Sequence, residues 1–373
     1  MRVALVHDYL NQYGGAERVL DALHERFPEA PVFTSILDLD ALPPHYRTWQ
    51  IHTSRLNRIP WATRNHRLLL PFYPAAFREF ADALSQFDLV IADSSAWSHQ
   101  APVRPDAVLV CYCHSPGRFL YGDPHYLLPA RLPAPLRVVT PPLFAWLRRG
   151  DRRAAARVDR YIANSQNIAR RIRSIYGRDA TVVYPPIDTA RFAPERPREP
   201  EDWYLVVSRL VPHKRIDLAV EACTALGRRL KIIGSGRVEN DLRQRAGPTV
   251  EFLGVLSDAK VTDHLQRCRA LILPGAEDFG MTAVEAQAAG RPVIAYGAGG
   301  ALESIIPGET GLLFDAPTVE SLAAAILEFE RRCWEPERAM ANAARFSKER
   351  FFEAIDAEIE MAISETRRRL AGD

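Results

Sequence analysis

Short apolar runs alternate with amphipathic stretches from one end of this chain to the other. In the first half, Val3–His7, Pro31–Ser35, Leu89–Asp93, Val108–Cys113, Tyr161–Asn164 and Thr181–Tyr184 read as buried strands. The series restarts at Tyr204–Ser208 and continues through Leu230–Gly234, Val250–Leu253, Ala270–Leu273, Pro292–Tyr296 and Gly311–Phe314. Helical periodicity fills the gaps, as in Ile216–Leu226 and Val319–Arg331. Near-continuous apolar strands separated by helices predict parallel sheets covered on both faces, an α/β architecture. Between the two series, Pro185, Pro186, Pro194, Pro197 and Pro200 stand among charged residues and read as a linker that opens a new domain. The expectation is therefore two doubly wound, Rossmann-like domains, residues 1–187 and 188–350, facing each other across a cleft at the carboxyl ends of their sheets. Residues 351–373 follow as one long helix, expected to pack back toward the N-terminal domain.

With 373 residues, 47% apolar and 25% charged, the chain has the make-up of a soluble globular protein with more than one core. Met1 leads straight into the first strand pattern, which leaves no room for a signal peptide. The longest apolar stretch, Leu68 to Phe77, is broken by Pro71 and Pro74 and is too short to cross a membrane. Five scattered cysteines suit a reducing compartment, so a cytoplasmic location is expected. Neither an H-E-x-x-H nor a C-x-x-C pattern is present, and no metal, cofactor or nucleic-acid partner is expected. Charge is uneven. Residues 1–190 hold 23 Arg, no Lys and 17 acids, whereas the remainder holds 25 basic and 29 acidic residues. A basic first half fits an anionic surface or acceptor, and equally fits drift between two domains.

The densest chemistry lies in Glu277-Asp-Phe-Gly-Met-Thr-Ala-Val-Glu285, which follows an apolar strand. Two glutamates flank a Phe279-Gly280 turn that feeds a small-residue helix from Met281 to Ala289, closed by Gly290 and Pro292. A helix entered through glycine offers unpaired N–H groups to an anion or a sugar hydroxyl. One carboxylate could then hold each of two hydroxyl-bearing parts of a ligand, although two acids at this spacing also suit a capped core helix. Arg209 leaves the strand before it and Lys214 enters the next helix, two cations suited to a diphosphate leaving group. Gly234-Ser-Gly236 follows the next strand, where the backbone either approaches a ligand or simply turns. Gly14-Gly15 opens the first helix of the chain as another anion-facing start, without full G-x-G-x-x-G spacing. His114, in Tyr-Cys-His-Ser-Pro, leaves a strand toward the cleft, placed for hydrogen-bond or proton work.

In this order, Gly14-Gly15, His114, Arg209 with Lys214, Gly234-Ser-Gly236 and the Glu277/Glu285 pair resemble the retaining glycosyltransferases of family 4, also called group 1, with the GT-B fold. The resemblance implies a nucleotide-sugar donor held mainly by the C-terminal domain and an acceptor held mainly by the N-terminal one. It implies that Arg209 and Lys214 hold the diphosphate and that Glu285 holds the ribose. Glu277 would meet the donor sugar with the backbone of Phe279, Gly280 and Met281, and His114 would sit beside the reacting centre. The opening Val-Ala-Leu-Val-His-Asp-Tyr, Gly-Gly-Ala-Glu-Arg-Val and Tyr-Cys-His-Ser-Pro look like bacterial mannosyltransferases that build O-antigen and exopolysaccharide on a lipid carrier. That likeness implies GDP-mannose and a lipid-linked or oligosaccharide acceptor. Phe119-Leu-Tyr-Gly-Asp123 departs from the Tyr-Trp-Asp pattern expected after His-Ser-Pro, which bears on the acceptor side. A sugar-nucleotide epimerase or hydrolase on the same scaffold, or a transferase using a UDP- or dTDP-sugar, is the alternative.

Between Arg47 and Phe80, arginines 47, 55, 58, 64, 67 and 78 are interleaved with Trp49, Trp61, Leu68-Leu69-Leu70, Phe72, Tyr73 and Phe77. Such a stretch can lie peripherally on an anionic membrane, with Arg148, Arg149, Arg152 and Arg153 extending the surface. The same apolar residues would serve equally as core beneath a solvated arginine face.

Overall fold

The computed structural model describes residues 1–122, 134–195 and 198–371. Asp123 and Pro197 lie outside the described residues. The strands β1 (Val3–His7), β2 (Val32–Thr34), β3 (Ile51–Thr53), β4 (Leu89–Ser94), β5 (Val108–Cys113), β6 (Arg160–Ala163) and β7 (Ala180–Val182) form a parallel sheet in the order β3-β2-β1-β4-β5-β6-β7. A second parallel sheet joins β8 (Tyr204–Val207), β9 (Leu230–Ile233), β10 (Val250–Gly254), β11 (Ala270–Leu273), β12 (Val293–Tyr296) and β13 (Gly311–Phe314) in the order β10-β9-β8-β11-β12-β13. These are the two Rossmann-like sheets expected from the alternation. Each reverses its strand order once, between β1 and β4 and between β8 and β11. Connections leave in opposite directions there, so the carboxyl ends of those strands open onto a crevice. Every residue of β4 and β5 is buried, as a sheet covered on both faces requires.

Five helices position the candidate site residues or complete the units: α1 (Gly15–Arg26), α2 (Gln166–Tyr176), α3 (Ile216–Leu226), α4 (Met281–Ala288) and α5 (Lys348–Ala371). Their ends follow local chemistry. Ser165 caps α2 by accepting from the Ile168 N–H, and Gly177, in the left-handed region, ends it. One strand was not legible. β3 is three residues, Ile-His-Thr, at the sheet edge, too short and too polar to register as an apolar run.

The proline-rich stretch differs from a free linker. Ile187 and Phe192 are each 2% exposed, and a short helix, Thr189–Phe192, is capped by Asp188. Proline fixes the backbone but does not prevent packing, and the two apolar side chains anchor this stretch. The chain divides into two compact units, Met1–Tyr184 with Phe352–Asp373, and Pro185–Phe351. Most of α5 thus belongs to the first unit. There Arg26 pairs with Asp356 at 2.9 Å, Arg369 with Asp159 at 2.6 Å, and Arg160 with Glu358 and Glu365. Ile355, Ile359 and Ala362 supply its buried face.

The arginine-aromatic stretch folds as short turns and splits its apolar residues. Leu69, Tyr73 and Phe77 enter the core, whereas Trp61, Leu68 and Phe72 are 45%, 70% and 56% exposed. Arg64 and Arg67 are exposed in the same stretch. Among the described residues, no helix is long and apolar enough to cross a membrane.

The Arg160 pairing generates a prediction. Glu358 is 5% exposed, so removing its cation leaves a carboxylate without its counter-charge in a nearly dry setting. Arg160→Ala should cost about 3 kcal/mol. Hydrogen exchange should accelerate in α5 ahead of β4 and β5.

Candidate functional site

In the second unit the expected residues sit on turns that follow β8, β9 and β11, at the carboxyl side of the sheet. After β8 the chain passes Arg209, which is exposed, and forms one tight turn, Pro212–Lys214. It then enters α3 through Arg215, the single non-glycine residue with positive φ among those described. That strained residue is steadied by its own bonds to Asp217, and the turn it closes aims Lys214. After β11 the chain runs through Glu277 to Gly280, which starts α4 in the left-handed region with no side-chain cap. Phe279 is 2% exposed and meets Phe346 edge-on at 5.4 Å, fixing this turn from below.

These two turns bring Lys214 and Glu277 together. The Lys214 Nζ donates to both carboxylate oxygens of Glu277 at 2.5 Å, and both side chains are mostly buried. A Cβ on Gly280 would lie 3.4 Å from the Cβ of Glu277, so the glycine leaves the Glu277 side chain room. Glu285 is on the second turn of α4 and is buried, 6% exposed, while Met281 at the head of the helix is half-buried. The predicted cation and the first predicted carboxylate are thus one ion pair.

The glycines have a reason that the sequence pattern did not reveal. A Cβ on Gly234 would lie 1.9 Å from the Ser208 carbonyl oxygen, and one on Gly236 would lie 2.2 Å from that of Leu210. The space made by their missing side chains is filled by the protein's own backbone, which locks the turn after β9 onto the turn after β8. A second glycine pair, outside the expected site residues, does the same for Glu277. Gly299, with φ +65°, would place a Cβ 2.1 Å from the Glu277 carbonyl oxygen, and Gly300 would place one 2.2 Å from the Phe279 Cα. The Gly300 N–H donates to the Glu277 carbonyl at 2.9 Å. The signal was present in Gly297-Ala-Gly-Gly300 directly after a strand.

Gly14, Gly15 and His114 belong to the first unit. Gly14 precedes α1, and its N–H donates to the Glu17 carboxylate at 2.8 Å, so this helix start is closed by its own acid. His114 stands just beyond β5. Asn164 donates to its carbonyl at 3.2 Å, and Arg171 from α2 donates to the Ser115 hydroxyl at 3.0 Å, which pins the His-Ser-Pro turn. Its imidazole Nε2 lies 2.5 Å from Oδ1 of Asp93, a fully buried residue of β4. The other Asp93 oxygen lies 2.8 Å from Nδ1 of His7 at the end of β1. Burial alone would raise the Asp93 carboxyl, but the two histidines outweigh it and hold it below its usual range. Asp93 and His7 were not among the expected site residues. Both are polar residues closing apolar strands, the one signal that could have marked them.

Residues 13–191 match the Glycosyltransferase Family 4 model, and residues 188–346 match the model of glycosyl transferases group 1. An uncharacterized glycosyltransferase of Methanocaldococcus jannaschii is 35% identical over 129 residues, 33% of this chain and 37% of that protein. A GDP-mannose-dependent monoacylated alpha-(1-6)-phosphatidylinositol monomannoside mannosyltransferase of Corynebacterium glutamicum is 31% identical over 211 residues, 48% of this chain and 55% of that one. The chain thus spans from about a third to just over half the length of these relatives. In fold it is similar to Anabaena HepE, solved in complex with UDP-glucose, with a TM-score of 0.72 at 18% identity, over 97% of this chain and 100% of that one.

The Gly299 contact is open to test. Gly299→Ala combines a left-handed backbone with a steric clash against main chain, and should cost at least about 2 kcal/mol. Gly227→Ala, also left-handed at φ +63° but facing open space, should cost only about 1 kcal/mol. Thermal melts of the two variants should separate accordingly, and Gly299→Ala alone should displace Glu277.

Proposed function

This chain belongs to the group 1 glycosyltransferases of family 4, and from that membership we propose that it moves a hexose from a nucleotide sugar to a hydroxyl acceptor with retention of anomeric configuration. The observation that carries this reading is the Lys214–Glu277 pair, a cation and a carboxylate held together beside the glycine start of α4. In this reading Arg209 and Lys214 take the donor diphosphate, with Lys214 shared between phosphate and Glu277. Glu285 holds the ribose. Glu277 meets the sugar with the backbone of Phe279, Gly280 and Met281. As the bond from the anomeric carbon to the diphosphate breaks, negative charge grows on the leaving oxygen, and the two cations stabilise it. The acceptor oxygen forms its bond on the same face, and its proton passes to the departing diphosphate. His114, in the first unit, is the remaining residue that this reading assigns to the reaction.

GDP-mannose is the proposed donor, supported by the opening motifs and by the name of the Corynebacterium glutamicum relative. A lipid-linked or oligosaccharide acceptor of a bacterial surface polysaccharide is the proposed recipient. Exposed Trp61, Leu68 and Phe72 among arginines support a peripheral, reversible contact with anionic lipid at the inner face of the cell membrane.

Screening GDP-, UDP-, dTDP- and ADP-sugars for transfer tests the donor, and turnover with a GDP-sugar alone is the expected result. Lys214→Ala should lower kcat about a hundredfold while the nucleoside monophosphate binds nearly as before, because the lost interaction is strongest as the bond breaks. Unchanged turnover in that variant would remove the diphosphate assignment. For the lipid contact, the protein should sediment with anionic vesicles at low salt. It should be released by added salt, and should bind more weakly when Arg64 and Arg67 are replaced by Glu. Retention in the supernatant would favour a soluble acceptor.

A further inference from the structure

The carboxyl ends of the three central strands of the first sheet hold a continuous line of ionisable groups, of which the proposed chemistry uses only His114. β1 and β4 pair His7 directly with Asp93, and the His114 N–H continues the ladder from β5 to the Ser94 carbonyl at 2.8 Å. Asp93 is 0% exposed and divides its oxygens, Oδ1 to His114 and Oδ2 to His7. His7, itself 2% exposed, turns its other ring nitrogen to Glu17 Oε1 at 3.6 Å. The remaining oxygen of Glu17 receives the Gly14 N–H. The line therefore runs from the glycine turn before α1 through Glu17, His7 and Asp93 to His114.

Ionised carboxylate oxygens only accept, so the two ring nitrogens within hydrogen-bond distance of Asp93, Nδ1 of His7 and Nε2 of His114, must carry protons. Burial alone would lower the pKa of His7, but its contacts with Asp93 and Glu17 outweigh that and push it up to about 10. His7 is thus a buried cation between two carboxylates. It keeps Asp93 charged, and a charged Asp93 requires the proton of His114 on Nε2. The side chain of His114 is 12% exposed, the most open of these four, and its remaining ring nitrogen is Nδ1.

We propose that Asp93, His7 and Glu17 are positioning residues that act through His114, fixing its proton on Nε2, presenting Nδ1 as the acceptor for a substrate hydroxyl, and coupling its orientation to the glycine turn at Gly14. The inference rests on the transferase reading for the identity of the hydroxyl, but not for the tautomer. An accepting Nδ1 selects a group that donates, which a sugar or acceptor hydroxyl does and a deoxy analogue does not. The imidazole is held by its hydrogen bond to Asp93 before any ligand arrives, so its orientation adds no ordering cost during the reaction.

The test separates the two readings. Ring-nitrogen NMR of isotope-labelled full-length protein, assigned with His114→Gln and His7→Gln, should show His114 protonated at Nε2 and His7 protonated at both nitrogens. Asp93→Asn keeps the shape but can accept from only one histidine. In it the His114 signals should shift to mixed tautomers, and kcat should fall about a hundredfold with donor KM within about twofold. His7→Gln provides a second route if Asp93→Asn does not fold, and should also lose the single His114 tautomer. A His114 tautomer and turnover unaltered by either substitution would overturn the proposal. Absence of transfer with any donor, alongside the expected NMR change, would instead overturn only the transferase reading.

Discussion

The Glu277 carbonyl occupies the space where any side chain at position 299 would begin, and the placement of Glu277 in the second unit depends on that contact. Three chain segments meet there. Gly275 lets the start of the turn after β11 lie against the carbonyls of His213 and Lys214, from which a Cβ would stand only 2.8 and 2.7 Å away. Gly299 and Gly300 press on the same turn from the other side. Main chain thus touches main chain on both flanks of Glu277, and main chain has far less freedom than a side chain to drift. Lys214 and Glu277, 63 positions apart in sequence, keep their separation because the loops carrying them are locked together rather than because the pair itself is strong.

The first unit reaches the same end with carboxylates. Asp8, 2% exposed, accepts from the N–H groups of Ser95, Trp97 and Ser98 at 2.6 to 2.7 Å and so closes the loop after β4. Glu17 closes the start of α1, and Asp93 joins two histidines. In each case a buried acid at a strand end or helix start satisfies donors that would otherwise be stranded. One unit is shaped by absent side chains and the other by charged ones.

This difference explains what was legible. The strands β1, β5, β11 and β13 and the helix α3 could be bounded to the residue, because an apolar period imposed by burial leaves a direct trace. The Glu277-to-Glu285 stretch was legible because its chemistry is contiguous. The line from Gly14 to His114 was not, since His7 and Asp93 stand 86 residues apart and become neighbours only through strand order. Gly234 and Gly236 were read as places where the backbone approaches a ligand or simply turns, and in the structure the backbone of Ser208 and Leu210 lies where their side chains would be. Nothing in a single chain distinguishes a glycine that makes way for a ligand from one that makes way for its own neighbour. Leu68 and Leu69, adjacent and alike, ended on opposite sides of the surface, because one turn of irregular helix decides which faces inward.

The return of α5 to the first unit has a consequence for synthesis. A ribosome delivers the chain from its N-terminus, so the seven strands of the first unit emerge long before the segment that completes it. Until residues beyond Phe352 appear, Arg160 has neither Glu358 nor Glu365, and the surface that receives Ile355, Ile359 and Ala362 stays open. The second unit, continuous from Pro185 to Phe351, can fold in that interval. The second unit can therefore be complete while the apolar surface that α5 covers in the first is still open to water.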